Sequence, residues 1–433
     1  MDHAETLGYI HNVKWQGRKP GLERTRELLE GLGNPEERLR FVHVAGTNGK
    51  GSTAACISSV LKKAGYTTGL YTSPHLVSVN ERMQVNGVCI TDDELVCITE
   101  EIRPIADVMK DSPTEFELIT AIAMVFFRYK RCDIVVLEVG MGGRLDSTNI
   151  IATPDAAVIT AIGYDHVSEL GPEISDIAGE KAGIIKNGGD VVIYGGVPEA
   201  DAVFEHVSAL RGASLYRADF SRISNQEFSL DGSRFCFEPY GEISLPLVGS
   251  FQPWNAAVAI TALEVLRKKG YKISDRDIVS GLAAVRWPGR FEILGRKPVF
   301  ILDGAHNPQG VEAAAGSLRR LFGGQKIVFI IGVMADKDVD TMLECIAPIA
   351  EEFIGVRPDY YRAMDTEKLS EKLSAYGKPV STYDTVKDGV IAAIKRAGES
   401  GIICALGSLY FSGEIRAAYI DATSHFVFKK AGV

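Results

Sequence analysis

An α/β protein with two domains is the architecture this sequence predicts, on three observations. Strand-length apolar runs alternate with helical stretches along most of the 433 residues, the pattern of a mainly parallel sheet covered by helices. Residues 41–53 read without interruption as a buried strand, a glycine turn and the first turn of a helix. A Pro/Gly break, Arg286-Trp287-Pro288-Gly289-Arg290, is followed by a fresh strand–helix series of ordinary domain size. The predicted domains are residues 1–288 and 289–433, the second smaller than the first.

The elements follow in order. Residues 39–45 form the first strand and 52–65 the helix after it. Residues 67–72 form a second strand that ends at Ser73-Pro74-His75. Thr91-Asp92-Asp93-Glu94 and Thr114-Glu115-Phe116-Glu117 are capping boxes, Thr with Glu three residues on, and the second opens the apolar helix 118–129. Residues 133–139 are a buried strand, followed by the glycine loop Gly140-Met141-Gly142-Gly143-Arg144. Residues 156–162 are another, ending at Gly163-Tyr164-Asp165-His166. Between 214 and 247 the runs are short and alternating, as in Phe235-Cys236-Phe237, and are broken by Asp231-Gly232 and Tyr240-Gly241. A small antiparallel β subregion is expected there. After the break come strand 299–302, helix 309–322, strand 326–331, helix 338–349, strand 402–406 and a final helix.

Composition narrows the function classes. A 46% hydrophobic, 24% charged chain is globular with an ample core. The formal charge of −9 argues against a nucleic-acid scaffold. No apolar run approaches the ~20 residues of a membrane helix. The start, Met1-Asp2-His3-Ala4-Glu5, lacks a basic region leading into an apolar stretch, so a cytoplasmic protein is expected. The seven cysteines are scattered without a Cys-x-x-Cys pair and read as thiols of a reducing compartment.

The chemistry starts at Gly46-Thr47-Asn48-Gly49-Lys50-Gly51-Ser52. Glycines let backbone N–H groups approach phosphate oxygens, the helix adds its positive dipole end, Lys50 supplies a cation, and Ser52 or Thr53 a hydroxyl. The usual phosphate loop has Ser or Thr directly after Gly-Lys; here Gly51 intervenes. Parallel sheets gather ligands at the carboxyl ends of their strands. Ser73/His75, Glu138 with Arg144, and Asp165/His166 all follow predicted strands. Glu138 lies in an apolar strand where an unpaired acid is costly. It is either a Mg²⁺ ligand beside phosphate or half of an ion pair, with Arg144 the nearby partner. His166 is a candidate ligand or an ordinary loop histidine. Lys181 by itself reads as a helix-surface lysine. In Asp303-Gly304-Ala305-His306-Asn307-Pro308, Asn307 and Pro308 suit a helix start, which leaves Asp303 and His306 as ligand contacts. Arg290 can reach phosphate from the second domain, or be a surface charge.

Taken together, these segments resemble the folylpolyglutamate synthase/dihydrofolate synthase family of the Mur ligase superfamily. The resemblance rests on Gly46-Thr47-Asn48-Gly49-Lys50-Gly51-Ser52, Ser73-Pro74-His75-Leu76 and Asn80-Glu81-Arg82. Glu138-Val139-Gly140-Met141-Gly142-Gly143-Arg144-Leu145-Asp146, Thr148-Asn149, Asp165-His166 and Glu180-Lys181-Ala182-Gly183 extend it. Gln252 with Asn255-Ala256-Ala257, Gly289-Arg290-Phe291-Glu292, the Asp303–Pro308 segment written out above, Asp336-Lys337-Asp338 and Gly407-Ser408-Leu409-Tyr410 complete it.

The resemblance implies a Mur-ligase-like P-loop ATPase domain with the small β subregion, then a smaller Rossmann-like domain, with ATP between them. Asn48, Gly49, Lys50, Gly51, Ser52, Asn255, Arg290, Asp303 and His306 would contact the nucleotide. Ser52, Ser73, Glu138, His166 and Lys181 would serve two Mg²⁺ sites, with Lys181 matching a lysine that the family carbamylates. Lys50, His166, Lys181 and His306 would be catalytic. Arg82, Thr114, Phe116 and Arg144 would bind the acceptor substrate, although capping and core packing explain Thr114 and Phe116 without one. The implied activity is ATP-dependent addition of L-glutamate to a folate, to dihydropteroate, or to both, by a monomer. A different Mur-type amino-acid ligase and an ATP-binding regulator without ligase activity are the alternatives.

Overall fold

The fold is organised around a central strand buried on both faces. The computed structural model describes residues 1–12 and 21–430; residue 433, the predicted end of the second domain, lies outside them. In Phe41–Ala45 (β1) all five residues are buried, as an interior parallel strand demands. The other strands of its sheet are β2 (Thr68–Tyr71), β3 (Met83–Val85), β4 (Val88–Cys89), β5 (Ile134–Glu138), β6 (Ala156–Ile159), β7 (Asp190–Ile193) and β8 (Ser214–Arg217). Their order is β4-β3-β2-β5-β1-β6-β7-β8. Only the β2–β3 and β3–β4 pairings are antiparallel. From β1 the chain crosses to β2 on one side, and β6 continues the sheet on the other. The loop after β1 therefore opens at a topological switch point, where α/β sheets place ligands.

A three-stranded antiparallel sheet of β9 (Ile223–Ser229), β10 (Gly232–Phe237) and β11 (Gly241–Leu245) follows. It shares one hydrophobic core with the helices Lys50–Lys63 and Gln252–Lys268. This corrects the expected subregion of 214–247. Residues 214–217 instead pair in parallel with β7 at the edge of the large sheet. At the edge of the sheet Leu215 and Tyr216 are only half-buried between exposed Ser214 and Arg217, so this short run lacks the continuous apolar pattern of the interior parallel strands.

The second sheet comprises β12 (Glu292–Arg296), β13 (Val299–Leu302), β14 (Ile327–Ile331), β15 (Ala350–Val356), β16 (Val380–Tyr383) and β17 (Ile402–Leu406). Their order is β12-β13-β17-β14-β15-β16, parallel except for the β12 edge. β17 inserts between β13 and β14, so the loops after these strands converge at a second switch point. The expected helix 338–349 ends at Ile346 and tightens into a 3₁₀ turn, Ala347–Ile349, because Pro348 cannot continue the α ladder. Among the described residues no helix is long and apolar enough to cross a membrane.

Candidate functional site

The helix after β1 begins at Lys50, two residues earlier than its sequence suggests. Gly49 caps it at φ 86°, a left-handed conformation that favours glycine. Gly51 and Ser52 therefore lie in the first helical turn, where backbone N–H groups have no intrahelical partner and point towards an anion. Lys50 Nζ folds back onto the carbonyls of Gly46 and Thr47, at 3.1 and 3.2 Å. The departure from the usual phosphate loop has a packing reason. A Cβ on Gly51 would lie 2.7 Å from Cζ2 of Trp287, whose ring covers the turn.

A cavity of about 270 Å³ opens above this loop, between the two sheets. Its lining includes Asn48 through Ser52, Ser73, Glu138, His166 and Lys181 from the first sheet's side. Asn255, Arg290, Asp303 and His306 line it as well. Glu138 is 2% exposed and accepts one hydrogen bond, from Ser73 N at 3.2 Å. Burial pushes its pKa up, while Lys50 and then Arg290 oppose the shift. The expected ion-pair alternative is corrected: Arg144 is largely exposed and pairs with Glu180 at 2.6 Å, not with Glu138. A buried carboxylate facing only more distant cations suits a cation–phosphate ligand. Among the described residues no group of three or more His, Cys, Asp and Glu could hold a metal alone. Mg²⁺ commonly takes one or two protein oxygens and completes its shell from phosphate and water. Glu138 and the Ser52 hydroxyl, which accepts from Gln252 Nε2 at 3.4 Å, fit that donor set.

Asp165 ties the two sheets together. Its carboxylate accepts from Lys337 Nζ at 2.6 Å and Asn307 Nδ2 at 2.9 Å, and lies 3.3 Å from His306 Nε2. Despite the cost of burial, the hydrogen-bonding His306 and the nearby Lys337 ammonium hold Asp165 well below the usual carboxylate range. His166 follows at φ 52°. Burial lowers its pKa to about 4, so a neutral imidazole faces the cavity. The His306 Nδ1–H donates to Gly304 O at 2.8 Å.

Lys181 is not the surface lysine its local sequence suggests. It is 4% exposed and donates to Gly46 O at 3.0 Å, under the phosphate loop. Burial, and next Lys50, lower its pKa to about 7, so much of it is neutral amine near neutrality.

Arg82, Thr114, Phe116 and Arg144 lie outside the lining of this cavity. Arg82 Nε donates to His75 Nδ1 at 2.9 Å. Thr114 accepts from Glu117 N as the N-cap of the helix Glu115–Tyr129. The Phe116 ring packs over Gly140, so it adjoins the glycine loop that does line the cavity. Tyr194, Phe251, Ala313 and Gln309 also line it and were not singled out from the sequence. Gln309 accepts from Asn48 Nδ2 at 2.7 Å and donates to Ile162 O at 3.0 Å, joining the second sheet's helix to the phosphate loop. Nothing local marks these residues; they meet only because the two sheets face each other.

Comparison with known proteins gives matching assignments for both parts of the chain. The Mur ligase middle domain model matches residues 44–263, and the Mur ligase glutamate ligase domain model matches residues 289–409. The dihydrofolate synthase/folylpolyglutamate synthase of Bacillus subtilis is 39% identical over 96% of this chain and 98% of that protein. The folylpolyglutamate synthase of Lacticaseibacillus casei is 36% identical over 98% and 100%. Among solved structures, Mycobacterium tuberculosis folylpolyglutamate synthase complexed with ADP and AMPPCP superposes with a TM-score of 0.89. It is 32% identical and covers 96% of this chain and 99% of that one. E. coli FolC in complex with DHPP and ADP gives 0.85 at 31% identity, covering 98% and 99%. Matched nearly end to end by such relatives, the chain belongs to the folylpolyglutamate synthase/dihydrofolate synthase family of Mur ligases.

Proposed function

We propose that this chain is an ATP-dependent ligase that joins L-glutamate to the γ-carboxyl of a folate, with residues 1–288 binding ATP and 289–433 forming the ligase domain. The observation that carries the reading is the shared cavity: a phosphate loop, a buried acid and an arginine from the far side of the break all line it. The double name of the Bacillus subtilis relative supports dihydropteroate as a second acceptor. A monomer is the form the family resemblance implies. MgATP and folate substrates make the cytoplasm the compartment that suits this activity.

A carboxylate is a poor electrophile, so ATP activates it. The acceptor's carboxylate oxygen attacks the γ-phosphorus, the bond to ADP breaks, and an acyl phosphate forms. The amine of L-glutamate then attacks the acyl carbon, phosphate leaves, the nitrogen loses a proton and the amide remains. Lys50 and the first-turn N–H groups would hold the β- and γ-phosphates. Arg290 would reach the transferring phosphoryl group from the other side, stabilising charge by fixed electrostatics. Ser52 and Glu138, with Ser73 donating to Glu138, would hold one Mg²⁺, and His166 a second; Mg²⁺ neutralises phosphate charge when bound. Lys181 would carry a carbamate, formed when its neutral amine adds CO₂ and releases a proton, which turns a buried cation into an oxygen ligand. Asn255 and Asp303 would contact the nucleoside, and Tyr194 and Phe251 offer the cavity's aromatic wall to its base. His306 would accept the amine's proton only after Nε2 leaves Asp165. Arg82, Thr114, Phe116 and Arg144 would contact the acceptor beyond the glycine loop. The contact between the two sheets would exclude water that otherwise hydrolyses the acyl phosphate.

The test is incubation with MgATP and L-glutamate, with tetrahydrofolate or dihydropteroate in separate reactions read by mass. One added glutamyl unit on tetrahydrofolate supports the reading, extension of both acceptors makes the enzyme bifunctional, and extension of dihydropteroate alone makes it a dihydrofolate synthase instead. ATP binding without extension of either one would overturn the reading and favour a nucleotide-dependent regulator.

A further inference from the structure

His43 lies at the centre of β1, fully buried, just before the phosphate loop begins at Gly46. No step of the reaction above uses it. Its Nε2 lies 2.9 Å from Thr148 Oγ1. Thr148 Oγ1 itself donates to Asp146 Oδ1 at 2.6 Å. A hydroxyl has one proton, so Thr148 accepts from the imidazole and the Nε2–H of His43 is the donor. Nδ1 is then a bare acceptor, buried and without a hydrogen-bond partner among the described residues. An apolar residue would avoid that cost, as Val42 and Val44 do on either side. Burial lowers the ring's pKa to about 3, so a charge does not account for it either.

The far end of the chain of hydrogen bonds gives it a purpose. Asp146 also accepts from Thr148 N at 3.1 Å and from Met141 N at 2.9 Å. Met141 belongs to the glycine loop that follows Glu138 and lines the cavity. A buried path therefore runs from β1, whose end is the phosphate loop, to the loop after β5.

We propose that His43 is a positioning residue: by donating to Thr148 it commits the Thr148 proton to Asp146, and so holds the Gly140-Met141 backbone in register with the phosphate loop. The kinetic part of this proposal rests on the ligase reading.

The experiment compares the wild-type chain with His43→Leu, His43→Gln, Thr148→Val and the His43→Leu/Thr148→Val double variant. The readouts are kcat, KM for MgATP, Tm, and amide hydrogen exchange of the peptide spanning 139–147. His43→Leu is expected to keep its Tm, because the unpaired acceptor disappears with the lost donor. Its kcat should fall by about 10- to 100-fold, the scale of a small misplacement of reacting groups, with KM for MgATP unchanged. Exchange in the 139–147 peptide should quicken. His43→Gln, whose amide can still donate, should recover most of kcat. In the Thr148→Val background, His43→Leu should cost nothing further. Wild-type kcat or unchanged exchange in His43→Leu, or a loss that adds in full to that of Thr148→Val, would overturn the proposal. A His43→Leu chain that misfolds or loses Tm would make His43 a packing residue and overturn it as well. If the wild-type chain ligates neither acceptor, the function reading fails by itself, and hydrogen exchange still decides the role of His43.

Discussion

Adding one methyl group at Gly51 should separate the packing of the phosphate loop from its chemistry. Gly51→Ala places a Cβ 2.7 Å from Cζ2 of Trp287 and 3.0 Å from Cε2 and Nε1. Comfortable carbon–carbon contact needs ~3.5–4.0 Å, so the overlap approaches 1 Å. Neither side yields easily. Trp287 packs on the core shared by the helices Lys50–Lys63 and Gln252–Lys268, and Pro288 follows it. The helix start is held by Gly49 and by the Gln252–Ser52 hydrogen bond. Overpacking of this kind costs ~1–3 kcal/mol. The gain in helix propensity from Gly to Ala returns at most ~1 kcal/mol. The steric cost outweighs the gain over most of that range, by up to about 2 kcal/mol, which lowers Tm by up to about 6 °C. Because Gly51 N–H faces the phosphate site, ADP binding should weaken as well. The assay is a double-mutant cycle with Trp287→Ala, followed by thermal unfolding and ADP titration. Trp287→Ala alone costs ~3–5 kcal/mol by leaving a cavity, but Gly51→Ala should be harmless or stabilising in that background. A Gly51→Ala chain with wild-type Tm and ADP affinity would refute the argument, as would an identical loss with and without Trp287.

Further predictions concern charge and the base. Glu138→Gln should raise the Tm of the ligand-free chain, since a costly buried charge disappears. It should also lower kcat by about 10²–10³-fold and abolish the Mg²⁺ dependence of nucleotide binding; retained Mg²⁺ dependence would count against Glu138 as a ligand. Lys181 has a folded pKa of about 7 against an ordinary 10.5. Between those values the unfolded chain binds the extra proton, so stability rises with pH, and burying Lys181 costs most below pH 7. In CO₂-depleted buffer, Lys181→Met should raise Tm more at pH 6 than at pH 9, and a pH-independent difference would contradict the shift. Phe251→Ala should weaken ADP by about tenfold, the scale of one lost base–aromatic contact, and leave binding of inorganic tripolyphosphate unchanged. Equal losses for both ligands would place Phe251 in general packing instead. Arg144→Ala should leave Tm nearly unchanged, because exposed pairs such as Arg144–Glu180 contribute ~0–1 kcal/mol, and raise KM for the acceptor; an unaltered KM removes Arg144 from the acceptor site.

Features made by neighbours along the chain are legible from the residues alone. The phosphate loop was legible because strand, glycine turn and helix are contiguous, and their chemistry needs only backbone geometry and Lys50. The Thr91 and Thr114 capping boxes and the Asn307-Pro308 helix start were legible for the same reason, and all three cap the helices observed. The alternation of strands and helices identified the α/β class and the small antiparallel sheet, while the edge strand Ser214–Arg217 was assigned to the wrong sheet and the bounds of the helices after β1 and β14 shifted.

Which charges are buried and which side chains meet depends on how the elements pack. Lys181 reads locally as a surface residue, and only its hydrogen bond to Gly46, far away in the chain, makes it a buried amine. Arg144 stands near Glu138 in sequence, yet the glycine loop turns it outward to Glu180, leaving Glu138 to face Lys50 and Arg290. Gln309, Tyr194 and Phe251 carry no local signal, because a cavity between two sheets is assembled by contacts far apart in sequence. Local hydrogen bonding and hydrophobic period specify elements. Desolvation and the Coulomb field of a site depend on every residue packed around it, and those come together only in the folded chain.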